Sequence, residues 1–202
     1  MVEYCILPLG FEGITETAPR VASVLLYGPQ GCGKTMLVKA IATEAGANLF
    51  NISPSNTANE YKGKANVTKM IHMVFKVAKL KAPSVIFLGN AEMVFAKKVP
   101  KDDTTDPKRI RKDLLKAVKG IKPSDRVLLV GTSDKPWDAD LKAMVPCFDK
   151  MICVPKPDYA ARQMLWGVGI LRNLPHPQSL RNVHTSLLAR YSEGITTAGI
   201  FR

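Results

Sequence analysis

A chain of 202 residues, of which 46% are hydrophobic, is long enough to bury one substantial core with a small appended subdomain. No apolar run approaches the ~20 residues that a membrane-spanning helix needs, and the N-terminus lacks a signal-peptide pattern, so a soluble intracellular protein is expected. The net charge of +12 favours an acidic partner such as nucleotide, nucleic acid, anionic lipid or an acidic protein tail. The four cysteines form no C-x-x-C pair, which indicates reduced thiols rather than a metal site or a disulfide framework.

The first predicted elements are a strand at Ser23–Tyr27, a glycine-rich loop and a helix at Met36–Ala45. The loop fits the pattern G-x-x-x-x-G-K-[ST] at every fixed position, and its residues are Gly28, Pro29, Gln30, Gly31, Cys32, Gly33, Lys34 and Thr35, with Met36 next in the chain. Its glycines allow successive N–H groups to turn inward around an anion at the start of a helix. Lys34 would place its charge at the β and γ phosphates, and Thr35 would offer its hydroxyl to Mg²⁺. The loop therefore predicts Mg-nucleotide binding, although nothing in it reads the base.

The rest of the chain alternates strands with helices up to about residue 156. Further strands are predicted at Asn48–Ile52, Ser84–Leu88, Arg126–Val130 and Met151–Val154, and the main helices at Val67–Leu80, Ala160–Leu171 and Leu180–Tyr191. Short apolar strands separated by helices predict an α/β fold with a parallel five-stranded sheet, helices on both faces and ligands at the carboxyl ends of the strands. The pattern becomes purely helical afterwards. We therefore expect a nucleotide-binding α/β domain over residues 1–156 and a partial helical lid over residues 157–202.

A basic segment runs from Lys97 to Lys122, with ten basic and four acidic residues. Asp106 and Pro107 are typical of a helix start, and apolar residues then recur at helical spacing between the charges. A solvated helix face explains this pattern, and the absence of interleaved aromatic residues disfavours a single-stranded nucleic-acid surface. The charged residues predicted to contact an acidic protein surface are Lys108, Arg109, Arg111 and Lys112.

Several segments stand in an order that is typical of one family: LLYGPQGCGKT, EYKGK, SVIFLGN, VLLVGTSDKP, CFDK and SEGITTAG. Together they resemble the AAA ATPases, which have a P-loop NTPase fold, in the branch that includes microtubule-severing enzymes. Further segments, among them DPKRIRKDLLK and VPKPDYAARQMLW, resemble the AAA module of the IQ-motif and AAA-domain-containing proteins. That resemblance implies a module, without its IQ region, of a subunit of the nexin-dynein regulatory complex in the axoneme of a cilium or flagellum. It also implies ATP or ADP with Mg as cofactors and protein partners that include acidic tubulin tails; a ring oligomer is left open but not favoured.

The resemblance also shows where this chain departs from the family pattern. Gly89 and Asn90 stand where an active AAA enzyme has Asp and Glu, which support hydrated Mg²⁺ and polarise the attacking water. Asp134 stands at a sensor position that is usually Asn, and Cys147 and Lys150 stand where arginine fingers belong. Loss of a general base costs ~10²- to 10⁴-fold in rate, and loss of an arginine finger ~10³- to 10⁵-fold in related enzymes. With an intact Walker A loop and a degenerate Walker B strand, no residue is assigned a catalytic role.

We therefore expect a nucleotide-binding module whose turnover is very slow or absent. Glu92 is interpreted as a carboxylate at the start of a helix, and Tyr61, in the family's substrate-gripping loop, as a packing or partner contact. Two alternatives stay open: an active but atypical AAA ATPase, and a P-loop protein associated with nucleic acid.

Overall fold

The computed structural model describes residues 1–10, 21–57, 61, 63–97, 107–173 and 184–201. The chain forms two compact units, the first comprising Met1–Tyr27 and Thr35–Cys153, and the second Gly28–Lys34 and Val154–Arg202. Within the described ranges, no helix is long and apolar enough to cross a bilayer.

A five-stranded parallel sheet forms the centre of the first unit. Its strands are β1 (Ser23–Tyr27), β2 (Asn48–Asn51), β3 (Ser84–Leu88), β4 (Val127–Ser133) and β5 (Lys150–Cys153). They lie in the order β2-β3-β4-β1-β5, and every neighbouring pair is parallel. The three central strands are buried almost throughout, as expected for a sheet that is covered on both faces. The predicted α/β fold is confirmed.

Helices alternate with these strands along the chain. The longer ones are α1 (Lys34–Glu44), α2 (Lys64–Leu80) and α3 (Arg111–Lys119), and the short ones are Leu7–Gly10, Pro54–Thr57, Ala91–Val94 and Leu141–Met144. Helix α2 begins three residues before the predicted start, because Gly63 takes a positive φ of 91° and caps it. The segment predicted as a loop from Ser53 contains the short helix Pro54–Thr57.

Strand β4 continues to Ser133, three residues beyond the predicted end. Its last residues pair in register with β1, Gly131 with Leu25 and Ser133 with Tyr27. Sequence patterning missed this extension because Gly131, Thr132 and Ser133 have low hydrophobicity, yet all three are buried. Strand identity here is set by the neighbouring strand rather than by the side chains.

Gly131 also shapes the core of the first unit. A Cβ atom at this position would lie 2.6 Å from Cζ of Phe148 and 3.1 Å from Cδ1 of Leu25. Phe148 fills that space and meets Phe95 edge to face, with ring centroids 6.3 Å apart. The core therefore depends on a missing side chain in β4.

The basic segment is used differently from the prediction. Lys108 Nζ donates to Lys97 O (3.0 Å), and Arg111 pairs with Asp140 (3.3 Å) while its guanidinium lies over the Phe95 ring. Arg109 donates to two backbone carbonyls. Three of the four residues predicted to contact an acidic surface thus have partners within the chain, and Lys112 is the exposed one. Asp106, the predicted helix cap, lies outside the described residues.

The second unit contains the helices α4 (Tyr159–Asn173) and α5 (Thr185–Tyr191) and the short helix Thr197–Ile200. Arg162 is buried between α4 and α5, where its guanidinium donates to Ala189 O and to Pro157 O, each at 2.9 Å. Trp166 Nε1 donates to Ser192 Oγ at 3.0 Å. The predicted helices are confirmed where described, while the predicted start at Leu180 lies outside the described residues.

Candidate functional site

The phosphate loop is a preformed turn that holds its own lysine. Lys34 is only 5% exposed, and its ammonium group donates to Gly28 O (2.8 Å) and Pro29 O (2.7 Å). A lysine is almost never buried without a partner, so these carbonyls explain how the charge is kept inside the loop. Thr35 follows in the first turn of α1 and is exposed.

The glycines of the loop are required by close approaches within the second unit. A Cβ at Gly28 would collide with the backbone oxygen of Val154, and one at Gly31 would lie 2.9 Å from Thr196 Oγ1. Gly31 has a φ of 81°, a left-handed conformation that favours glycine. Its carbonyl accepts from Ala198 N at 2.9 Å, which places the predicted second-sensor segment against the loop.

The carboxyl ends of β3, β4 and β1 meet at one edge of the sheet. The register pairs Leu88 with Gly131, and Ser133 with Tyr27, so Gly89 and Asp134 both follow strand ends at that edge. The phosphate loop begins at the residue after Tyr27. The sheet therefore brings the two degenerate hydrolysis positions of the first unit to the edge where parallel sheets bind ligands.

Gly89 is built into a small hydrogen-bond network. Its N–H donates to Ser53 Oγ (2.7 Å), and Ser53 Oγ donates to Asn51 Oδ1 (2.6 Å). A Cβ at position 89 would lie 2.8 Å from Ser53 Oγ and 3.3 Å from Phe87 Cζ. The space that an aspartate would need is thus occupied by the serine hydroxyl.

Asn90 is exposed and adopts a left-handed conformation, with φ 51° and ψ 52°. Asparagine tolerates this conformation better than most residues, whereas glutamate would be strained there. Glu92 lies in the first turn of the helix Ala91–Val94, as predicted from its position. Its Oε2 atom is buried and has no hydrogen-bond partner among the described residues.

The end of β4 carries a second buried polar atom without a partner. Ser133 Oγ makes no hydrogen bond within the described part of the chain. An unsatisfied buried hydroxyl costs about 1–3 kcal/mol, so it fits an edge that a ligand or water completes. Asp134 follows directly and is partly exposed.

The arginine-finger positions hold no group that could replace arginine. Cys147 is 2% exposed, and burial, with a smaller contribution from the charge of Asp149, raises the pKa of its thiol to about 12. It is a neutral core residue. Lys150 is exposed at the start of β5, with its ammonium 5.3 Å from the centroid of the Tyr4 ring. Neither residue offers the planar fork that grips a phosphoryl group.

The aromatic loop before α2 is tied to the basic segment. Arg109 donates from Nη1 to Tyr61 O and from Nη2 to Thr57 O, each at 2.7 Å. Tyr61 itself is 37% exposed. The loop backbone is therefore anchored, while the tyrosine side chain stays accessible.

Mg²⁺ would find few protein ligands here. No group of three His, Cys, Asp or Glu side chains in the described residues could hold a metal ion. Mg²⁺ commonly keeps several waters and binds through substrate phosphates and one or two protein oxygens, so a single Thr35 hydroxyl suits a metal that arrives with a nucleotide. The residues present fit Mg-nucleotide and do not fit a free metal ion.

Sequence reasoning missed three groups that shape these positions. Ser53, Thr196 and Ala198 contact Gly89 or Gly31 only through tertiary packing. The SEGITTAG segment carried a partial signal for Thr196 and Ala198, whereas nothing in the sequence marked Ser53 as the neighbour of Gly89.

A glycine-rich loop between a buried parallel strand and a helix, ending in a buried lysine, defines the class of P-loop α/β proteins. The family described as "ATPase family associated with various cellular activities (AAA)" matches residues 24–156. The chain therefore belongs to the AAA family.

Several relatives resemble the chain over nearly its whole length. The mouse "Dynein regulatory complex protein 11" is 45% identical over 98% of this chain, which covers 24% of that protein. The "Proteasome-activating nucleotidase" of Pyrococcus furiosus is 33% identical over 94% of the chain and 46% of its own length. A rat protein named for the katanin p60 ATPase is 30% identical over 96% of the chain and 39% of its own length. The chain thus spans less than half of each of these relatives.

A solved structure confirms the fold. The crystal structure of the FIGL-1 AAA domain in complex with ADP superposes with a TM-score of 0.77, covering 99% of this chain and 65% of that one. Sequence identity between the two is 24%, so this likeness concerns the fold alone.

Proposed function

We propose that this chain is a nucleotide-binding AAA module that holds ATP or ADP with Mg²⁺ and hydrolyses ATP very slowly or not at all. The observation that carries the proposal is a contrast between two parts of the chain. The phosphate loop is intact and preformed around Lys34, whereas the Asp-Glu positions are Gly89 and Asn90. Binding groups are present, while the groups that activate water and grip the transferring phosphoryl are not.

The residues that would hold the ligand are few. The loop N–H groups and Lys34 would bind the phosphates, and the Thr35 hydroxyl would bind Mg²⁺. When bound, Mg²⁺ would neutralise phosphate charge. No carboxylate at Gly89 or Asn90 is available to support the metal's waters or to accept a proton.

We further propose that the whole protein is a structural or regulatory subunit of the nexin-dynein regulatory complex in the axoneme. The 45% identity to the mouse dynein regulatory complex protein supports this assignment. Bound nucleotide would stabilise the module by mass action, without a catalytic cycle. Axonemes isolated from cells that express tagged full-length protein should retain it through washes that remove soluble matrix. Loss of the protein in the first wash would contradict the assignment.

Titration calorimetry with ATP and ADP in Mg²⁺ tests nucleotide binding. Lys34→Ala removes charge-assisted hydrogen bonds worth about 1.5–3 kcal/mol and should weaken binding about 10- to 100-fold. Lys34→Met, which keeps the buried methylene stem, should weaken it comparably and separates charge from packing. Lys39→Ala, an exposed position on the same helix, is the control. Equal affinity for the wild type and both Lys34 variants would contradict the proposal.

A second candidate, an active but atypical ATPase, is favoured by one observation. Glu92 Oε2 is buried without a hydrogen-bond partner among the described residues, as a general base awaiting a water would be. Substituting Glu92→Gln distinguishes the two candidates, because it should abolish turnover only if this carboxylate is the base.

A further inference from the structure

Helices α2 and α3 lie side by side in the first unit and run in the same direction. Near their starts, Thr68 Oγ1 donates to Asp113 Oδ2 at 2.8 Å. Near their ends, Lys79 Nζ donates to Gly120 O at 2.9 Å and pairs with Asp125 at 2.8 Å. Because the pair is tied at both ends, its outward residues form one continuous surface.

The outward side of α2 carries a row of large apolar side chains. Met73 is 63% exposed, Val77 40% and Leu80 74%. Single exposed apolar residues need no explanation, but these three recur at i, i+4 and i+7 and so lie on one face of the helix. Such spacing is how an amphipathic partner helix is recognised.

The outward side of α3 carries a row of lysines at the same spacing. Lys112, Lys116 and Lys119 are all exposed. On α2, the exposed Lys69 and Lys76 lie between the apolar row and α3, as the helical rotation of about 100° per residue requires. An apolar strip therefore borders a broad basic strip.

Nothing in the described part of this surface neutralises the basic strip. Helix α2 contains no acidic residue. Asp113 accepts from Thr68, and Asp125 accepts from Lys79 and from Lys122 N. Both carboxylates are thus engaged inside the surface, and the charge of the five lysines is left for a partner.

We propose that the α2–α3 face docks an acidic amphipathic helix of another protein. Its apolar residues would cover Met73, Val77 and Leu80, and its carboxylates would meet the lysines of α3. A nucleic acid would use the lysines but gain nothing from the apolar row, and the face offers no aromatic platform for bases. A second copy of this chain is disfavoured because each copy carries a net charge of +12.

Fluorescence anisotropy with the full chain tests this docking surface. The probe is a labelled synthetic helix of about 20 residues with leucines at i, i+4 and i+7 and glutamates along one flank. The basic variant is Lys112→Glu with Lys116→Glu and Lys119→Glu, and the apolar variant is Met73→Ser with Leu80→Ser. Lys39→Glu with Lys142→Glu and Lys156→Glu, all exposed elsewhere, makes the same charge change as the basic variant and is its control.

At ~0.15 M salt, both test variants should weaken probe binding at least about 5-fold, and the control variant less than about 2-fold, because screening suppresses its distant charges. The loss in the basic variant should shrink at higher salt, and the loss in the apolar variant should not. Lys34→Ala should bind the probe as the wild type does, which separates this inference from nucleotide binding.

Three outcomes would overturn the proposal. No probe binding at ~1 mM chain, or equal losses in the basic and control variants, would show that the face has no such specificity. A duplex DNA of about 20 base pairs that binds as tightly as the probe, unaffected by the apolar variant, would assign the face to nucleic acid. Sedimentation of the wild type as a dimer that the apolar variant dissociates would assign it to a second copy.

Discussion

At Gly89 and Asn90 the backbone itself opposes the acids of an active AAA enzyme. An aspartate at 89 would displace Ser53 Oγ, which the Gly89 N–H uses as its acceptor. A glutamate at 90 would have to adopt the left-handed conformation that asparagine tolerates, at a cost of about 1–2 kcal/mol. The local structure has thus adapted to the loss of both carboxylates, beyond the change of two side chains.

Restoring the two acids should therefore recover only part of the hydrolysis rate. We expect Gly89→Asp with Asn90→Glu to raise single-turnover hydrolysis by about 10-fold or less, since arginine fingers and an asparagine sensor are still missing and effects within one catalytic unit are non-additive. The variant should also lose about 1–3 kcal/mol of stability through overpacking at residue 89. Adding Ser53→Ala should regain part of that stability in denaturant unfolding. A full gain of activity without any loss of stability would contradict this view of the site.

Residue identities at the phosphate loop were predictable because a motif with fixed spacing carries its own chemistry. The motif marked Lys34, and the structure shows it buried among the loop carbonyls. Ser53 was not predictable, because its contact with Gly89 joins residues 36 positions apart. The partners of Arg109 and Arg111 were missed for the same reason: a basic residue in a sequence does not show which carbonyl or carboxylate it reaches.

At the scale of elements, β4 depends on the absence of a side chain at Gly131. Gly131→Ala should destabilise the chain by about 1–3 kcal/mol, because the new Cβ would overlap the Phe148 ring. Gly120→Ala is the matched control: its φ of −86° suits alanine, and the new Cβ would meet nothing closer than 3.4 Å. Denaturant unfolding should separate the two variants clearly. Equal stability of both would show that Phe148 moves without cost.

The Lys79–Asp125 pair ties the ends of α2 and α3 and makes their packing pH-dependent. Burial alone would raise the pKa of Asp125, but hydrogen bonds from Lys79 and from the Lys122 backbone, with the charges of both lysines, outweigh it and lower that pKa below 3.8. The carboxylate therefore adds stability above the pKa of about 3.9 that an unfolded chain would show, and this contribution is lost as pH falls through the lower folded pKa.

Asp125→Asn should accordingly lower the free energy of unfolding at pH 7 by up to about 1 kcal/mol, as expected for a partly exposed pair. The difference from the wild type should shrink as the pH approaches about 3, and measurements of denaturant midpoints between about pH 3 and pH 7 would show it. A difference that stays constant over this range would mean that the pair contributes through packing rather than through charge.

Element types were largely predictable, whereas element ends were not. The strands Ser23–Tyr27 and Ser84–Leu88 match the prediction because each is an apolar run that is bounded by turn residues or follows a proline. The end of β4 and the helix at Pro54–Thr57 were missed, since pairing and packing decide there rather than local composition. The division into residues 1–156 and 157–202 stays a prediction.

At the scale of the whole molecule, the order of motifs identified the AAA fold, whereas the net charge left the partner undetermined. A charge of +12 is compatible with nucleotide, nucleic acid or acidic protein. The structure refines this picture by showing which cations are engaged within the chain and which remain exposed on α2 and α3.

Whether the module binds ATP without turning it over can be decided by single-turnover hydrolysis, with the chain in excess over labelled ATP and Mg²⁺. We predict that bound ATP survives, with a rate constant at least about 10²-fold below ~1 s⁻¹, because no positioned base or arginine finger is present among the described residues. Lys34→Ala, which should not retain the nucleotide, is the control. Hydrolysis at ~1 s⁻¹ or faster that Lys34→Ala abolishes would contradict the proposed function and make Glu92 and Asp134 the first candidates for the base.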